Sequence, residues 1–99
     1  MSSTVYQRDI CVAADHPSLP GHFPGAPLVP GVVLLEQVAQ ALREWRDLRM
    51  ARVLEVKFVA PLLPDERATL DLIDAAGRVR FEIRRDGTLL ARGLIEGAP

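Results

Sequence analysis

The sequence predicts an α+β domain: an antiparallel sheet wrapped around one long helix. Two patterns carry that prediction. From Pro30 to about Leu48 the apolar residues recur at helical spacing, and from Val53 onward they alternate with a period of two. A third observation separates this frame from the N-terminus. Prolines at 17, 20, 24, 27 and 30, five of the eight in the chain, rule out a helix interior or a central strand between Asp15 and Val29.

Residues 4 to 14 alternate weakly, with Val5, Gln7 and Asp9 set against Tyr6, Ile10 and Val12, and read as a strand. The Pro/Gly-rich stretch that follows is shaped rather than floppy, because proline fixes φ and glycine opens dihedrals that other residues avoid. Pro30 suits a first helical turn, where its missing N–H would be unpaired anyway. Apolar residues then fall at 32, 35, 38, 39, 42 and 45, with 34 and 48 alongside. Val32 to Leu35 is apolar nearly all round, which predicts deep burial of the first turns. Arg43, Glu44, Arg46, Asp47 and Arg49 predict emergence into solvent and an end near Leu48.

Leu54, Val56, Phe58 and Ala60 interleave with Val53, Glu55, Lys57 and Val59 until Pro61-Leu62-Leu63-Pro64-Asp65 breaks the run. Ala68, Leu70 and Leu72 begin another strand, Ala76-Gly77 turns it, and Val79, Phe81 and Ile83 follow. Asp86-Gly87 is a hairpin signal, and Leu89 to Glu96 forms the last strand. Short turns imply antiparallel neighbours, so the second half is expected to be a meander covering the helix. That is the layout of a hotdog fold, with other α+β arrangements still open on pattern alone.

Composition narrows the function. A chain of 99 residues is one domain, residues 1–99. A short chain buries a limited fraction of its surface, so a shared oligomer core would help it. A net charge of −1 gives no general reason to expect nucleic acid or an anionic membrane. The single cysteine, Cys11, excludes an internal disulfide and a cysteine-built metal site, and fits a reducing cytoplasm. Arg8 and Asp9 precede any apolar run, unlike a signal peptide, and no apolar run is long enough for a transmembrane helix.

Two polar residues stand out against this frame. His22 lies in the shaped loop, and Glu36 in the second turn of the apolar helix. A lone loop histidine is more often a solvated side chain or a local cap. Glu36, Gln40 and Arg43 at i, i+4 and i+7 are more often a solvated stripe. The stripe begins, however, in the most apolar part of the helix, where a carboxylate is costly unless paired or functional. Gln40, one turn on, could hold that carboxylate. A histidine, a carboxylate and a helix N-terminus together suit removal of a proton α to a thioester carbonyl. That reaction needs a base and donors for the enolate oxygen. The N–H of Gly31 is placed in sequence to be such a donor, and glycine lets substrate approach the backbone.

The stretch Gly21-His22-Phe23-Pro24-Gly25-x-Pro27-x-x-Pro30-Gly31-Val32-x-x-x-Glu36-x-x-Ala39-Gln40 resembles the signature of 3-hydroxyacyl-[acyl-carrier-protein] dehydratases of the FabA/FabZ type. Val56-Lys57-Phe58-x-x-Pro61-x-x-Pro64 resembles the strand and proline turn after the central helix in that family. The resemblance implies a hotdog dimer with sheets joined edge to edge and the active site at the interface. His22 would take the C2 proton of a (3R)-hydroxyacyl thioester. Glu36, contributed by the partner subunit, would serve the departing hydroxyl. Gly31 and Val32 would bind the thioester carbonyl, with Phe23, Pro30 and Gln40 in support. No metal or organic cofactor is implied, since the acyl group arrives on the phosphopantetheine arm of an acyl carrier protein.

The chain departs from the family in two respects. Only one strand precedes the loop, and the common Pro-Gly-Asp turn is Pro64-Asp65-Glu66. This compact form is more similar to ApeI-like dehydratases of aryl-polyene and related polyketide-type clusters, and points away from housekeeping fatty-acid synthesis. A thioesterase and a non-catalytic acyl-binding subunit are the alternatives, and the partner could be a second copy or a different hotdog subunit. Arg43, Arg46, Arg49 and Arg52 recur every third residue. They read either as a solvated helix end, with an Arg43–Asp47 pair, or as a docking patch for an acidic carrier protein.

Overall fold

A computed structural model describes residues 4–16 and 28–99. Its elements are β1 (Val5–Cys11), α1 (Gly31–Arg46), β2 (Arg49–Phe58), β3 (Arg67–Ala75), β4 (Arg78–Arg85) and β5 (Thr88–Ala98). The strands form one five-stranded sheet in the order β1-β3-β4-β5-β2, antiparallel throughout.

The meander expected of the second half is therefore real only for β3, β4 and β5. Strand β2 does not pair with β3, which follows it in sequence; it pairs with β5 at the far edge. The proline turn at 61–64 carries the chain across instead of folding it back, because two prolines cannot supply the amides of a tight hairpin. The two true hairpins are the short turns. Ala76 and Gly77 (φ 53° and 88°), and Asp86 and Gly87 (φ 50° and 82°), take the paired positive dihedrals that match strand twist.

The core sits between helix and sheet. Val33, Leu34, Val38, Ala41 and Leu42 form the buried stripe of α1. It meets Ala68, Leu70 and Leu72 of β3 and Val79, Phe81 and Ile83 of β4, each at alternate positions. Burying a side chain of this size contributes about 1.5–3 kcal/mol, so these rows hold the fold together. Gly93 of β5 stands opposite Phe81, and a Cβ there would strike the Phe81 ring and the Glu55 carbonyl.

Two boundaries differ from the sequence expectation. Pro30 precedes the helix at φ −61°, ψ 147°, and its carbonyl accepts from Val33 at 3.0 Å. Asp47 ends the helix in the left-handed region, donating its N–H to the Arg43 carbonyl at 2.9 Å. The anticipated Arg43–Asp47 ion pair is not among those of the described residues, and the two meet only through this backbone bond. The turn at Asp47 also starts β2 at Arg49, so Arg49 and Arg52 belong to a strand and not to a helical row.

Candidate active site at the start of the central helix

His22 and Phe23 lie outside the described residues. Of the other residues singled out in the sequence, Pro30 and Gly31 open α1 and line an apolar cavity of about 460 Å³. Its remaining walls include Leu28, Leu34, Phe58 and Leu62. The Phe58 ring lies so close over Gly31 that a Cβ there would stand 2.5 Å from its Cζ. A larger residue at 31 would have to push the half-exposed Phe58 ring aside. The sequence pointed to Phe58 only through its place in the second motif; the cavity itself needs the β2–turn crossover to bring that ring to the helix.

Glu36 is not a wall of this cavity. Five residues after Gly31, it lies on another side of the helix, on a stripe with Val32, Gln40 and Arg43. All four are exposed in this chain. Val32 was expected to be buried and is 61% exposed, because the core-facing stripe of the helix starts at Val33. No hydrogen bond joins Glu36 to Gln40 among the described residues. The chain therefore does not bring the carboxylate to the Gly31 cavity. A solvated stripe does not explain Val32 at its head, and Val53, Val56, Phe58, Val59 and Leu63 are likewise exposed.

The arginines divide. The guanidinium of Arg46 stacks 3.9 Å from the Trp45 ring centroid and pairs with Asp74 at 3.3 Å. Arg8 pairs with Glu44 at 3.1 Å, and Tyr6 donates its hydroxyl to the same carboxylate while its ring stacks on Trp45. That hydrogen bond holds the Tyr6 phenol above its ordinary value. This cluster ties the helix end to the β1–β3 side of the sheet. Arg43 and Arg49 instead line a shallow cavity of about 500 Å³ together with Gln40 and Met50. Among the described residues no group of three or more His, Cys, Asp or Glu side chains could hold a metal ion. Nor is any described helix long and apolar enough to cross a membrane.

The ApeI dehydratase family model matches residues 2–94. The chain belongs to the ApeI-like dehydratase family. A FabZ 3-hydroxyacyl-[acyl-carrier-protein] dehydratase of Chlamydia trachomatis is 37% identical over 94 residues, covering 80% of this chain and 60% of that protein. The corresponding enzyme of Haemophilus influenzae is 32% identical over 71 residues, covering 62% of this chain and 48% of that one. The chain thus spans roughly half to three fifths of the length of these curated relatives.

Among solved structures, a chain of the dehydratase heterocomplex ApeI:P from Xenorhabdus doucetiae superposes with a TM-score of 0.85. It shares 21% identity and covers 97% of this chain and 88% of that one. An uncharacterised protein from Erwinia carotovora superposes with a TM-score of 0.80 at 26% identity, covering 100% and 88%. A 1,4-dihydroxy-2-naphthoyl-CoA thioesterase from Synechocystis shares the fold at TM-score 0.66 and 16% identity, covering 96% and 88%. The α+β hotdog architecture is established by these superpositions. Within the family, the departure at the proline turn has a physical account. Position 65 has φ 66°, which glycine adopts freely and aspartate tolerates.

Proposed function

We propose that the chain dehydrates a (3R)-3-hydroxyacyl thioester, presented on acyl carrier protein, to the trans-2-enoyl thioester. Among geometric observations, the apolar cavity of about 460 Å³ at the N-terminus of α1 carries this reading. An acyl chain can lie against Leu28, Leu34 and Phe58 while the thioester oxygen meets the helix start. The free N–H groups there, Gly31 and Val32 first, stabilise the negative charge that develops on that oxygen, and one such donor is worth about 10²–10³-fold. His22 takes the C2 proton, the C2–C3 double bond forms, and the C3–O bond breaks. Glu36 delivers a proton to the departing hydroxyl, which leaves as water. The proton on His22 then returns to the Glu36 carboxylate. As written, the reaction needs no metal or organic cofactor.

The position of Glu36 outside the cavity supports a site shared between two subunits, with His22 and Gly31 from one and Glu36 from the other. An exposed edge strand and the apolar flank beside it offer the surface for such pairing. The superposed Xenorhabdus chain belongs to a heterocomplex, so the partner is either a second copy or a different hotdog subunit. The exposed Arg43 and Arg49 are the better candidates for carrier-protein docking, since Arg46 is engaged by Trp45 and Asp74.

Incubation with a 3-hydroxyacyl carrier-protein thioester, followed by mass analysis of the acyl group, tests the reading. Loss of one water is expected; free acid would indicate a thioesterase, and no change a binding subunit. His22→Ala should lower the rate about 10²–10⁴-fold, and full retention would overturn the mechanism.

A further inference from the structure

The apolar cavity at the head of α1 has walls of two kinds. Val29, Leu34 and Leu62 are buried members of the core, and their side chains cannot shift without disturbing its packing. Phe58 is 48% exposed and stands outside that core. It is the only aromatic wall among the described residues. Its ring therefore shapes the cavity without holding the fold together.

The backbone on either side of the cavity is fixed. Phe58 pairs with Ala91 in the β2–β5 ladder. The next two residues, Val59 and Ala60, both donate to the Leu90 carbonyl, at 2.7 and 3.1 Å. Across the cavity, Val29 donates to the Leu62 carbonyl at 2.9 Å, just before the helix start. The Phe58 ring spans from one fixed stretch to the other and lies against Gly31, in the place a Cβ on residue 31 would need. The gap between them can widen only if the ring turns about its own side-chain bonds.

We propose that Phe58 is a specificity-determining residue: its ring limits the width of the acyl chain beside the reacting carbons. It admits chains unbranched at C4 and disfavours those that carry a methyl group there. The inference rests on the reading of this cavity as the acyl site. In that reading the thioester oxygen meets the first amides of α1. Phe58 lies against the first residue of α1, so the carbons it faces are those nearest the thioester. One methyl group against such a wall is worth about 10–200-fold in discrimination. A ring with one side open to solvent can yield in part, which sets the expectation at about tenfold.

Two N-acetylcysteamine thioesters test the proposal, 3-hydroxyoctanoyl and its 4-methyl derivative. In the unaltered protein kcat/KM should be about tenfold higher for the straight chain. Phe58→Ala should bring the two substrates to within about threefold of each other. Phe58→Leu, which keeps an apolar side chain without the ring, should fall between. A merely structural role would slow both substrates alike and leave their ratio unchanged. Calorimetry reads the same preference without turnover, using N-butyl octanamide and its 4-methyl derivative, which have no hydroxyl to lose. The unaltered protein should bind the straight amide about tenfold more tightly, and Phe58→Ala should lose that preference. An unaltered protein that does not discriminate would overturn the proposal, as would a parental ratio in Phe58→Ala. If the unaltered protein removes water from neither thioester, the reading of the reaction falls instead, and the amide ratios still decide the role of Phe58.

Discussion

The two edges of the sheet are finished differently. At the β1 edge, the helix end is strapped down by Tyr6, Arg8, Trp45 and Arg46, with carboxylates Glu44 and Asp74 answering the cations. At the β2 edge no described strand other than β5 pairs with β2. Six of the seven large exposed hydrophobic residues described lie there or beside it: Val32, Val53, Val56, Phe58, Val59 and Leu63. An open apolar edge is a liability that folded proteins usually blunt with charge, proline or a covering element. The contrast teaches that the described residues satisfy one side of this domain with ion pairs and ring stacking, and leave apolar side chains exposed on the other. Gly31, at the head of the proposed site, lies against Phe58 on this side.

Three substitutions break or sharpen that contrast. The largest effect belongs to the self-contained core. Phe81→Ala should cost about 3–5 kcal/mol in denaturant unfolding, since the ring is wholly enclosed beneath Gly93 and a cavity would remain. A loss below about 1 kcal/mol would mean that the packing of this face is not what holds the domain.

Next comes the open edge. Val56→Asp should leave far-ultraviolet circular dichroism unchanged yet abolish association in sedimentation and, with it, dehydration. A variant that associates and turns over like the parent would show that β2 is not the completing surface.

The smallest effect is at the Ala76-Gly77 hairpin. Ala76 sits at φ 53°, where a Cβ is strained by about 1–2 kcal/mol. Ala76→Asn should raise stability by about 0.5–1 kcal/mol without changing activity, measured by thermal unfolding and turnover together.

Much of the frame could be read from the residues. The helix and all five strands followed from periodicity, but the buried stripe runs through Val33, Leu34, Val38, Ala41 and Leu42, shifted from the expected 32, 35, 38, 39, 42 and 45. The family was legible in Gly21 to Gln40, where many residues recur at set spacing. Other features escaped. The exposure of Val32 and Glu36 did not follow from their apolar neighbours, because a helix that is apolar on several sides can turn one of them to a partner. The expected continuity of Arg43, Arg46, Arg49 and Arg52 failed at Asp47, where one left-handed residue ends the helix. The hydrogen bonds of Asp65 to Val12 and Ala14 were invisible, since these partners lie some fifty residues away in sequence.

By itself, then, the sequence determined which segments are helix and strand, which faces are apolar, and which family motif the chain bears. Those are local or short-range properties, set by dihedral preference and repeat. Only the tertiary structure decided that β2 crosses to the far edge to pair with β5, and that Phe58 closes over Gly31. It alone placed Glu36 away from that cavity. Each of these joins residues distant along the chain, and such contacts follow from how the whole sheet folds over its helix.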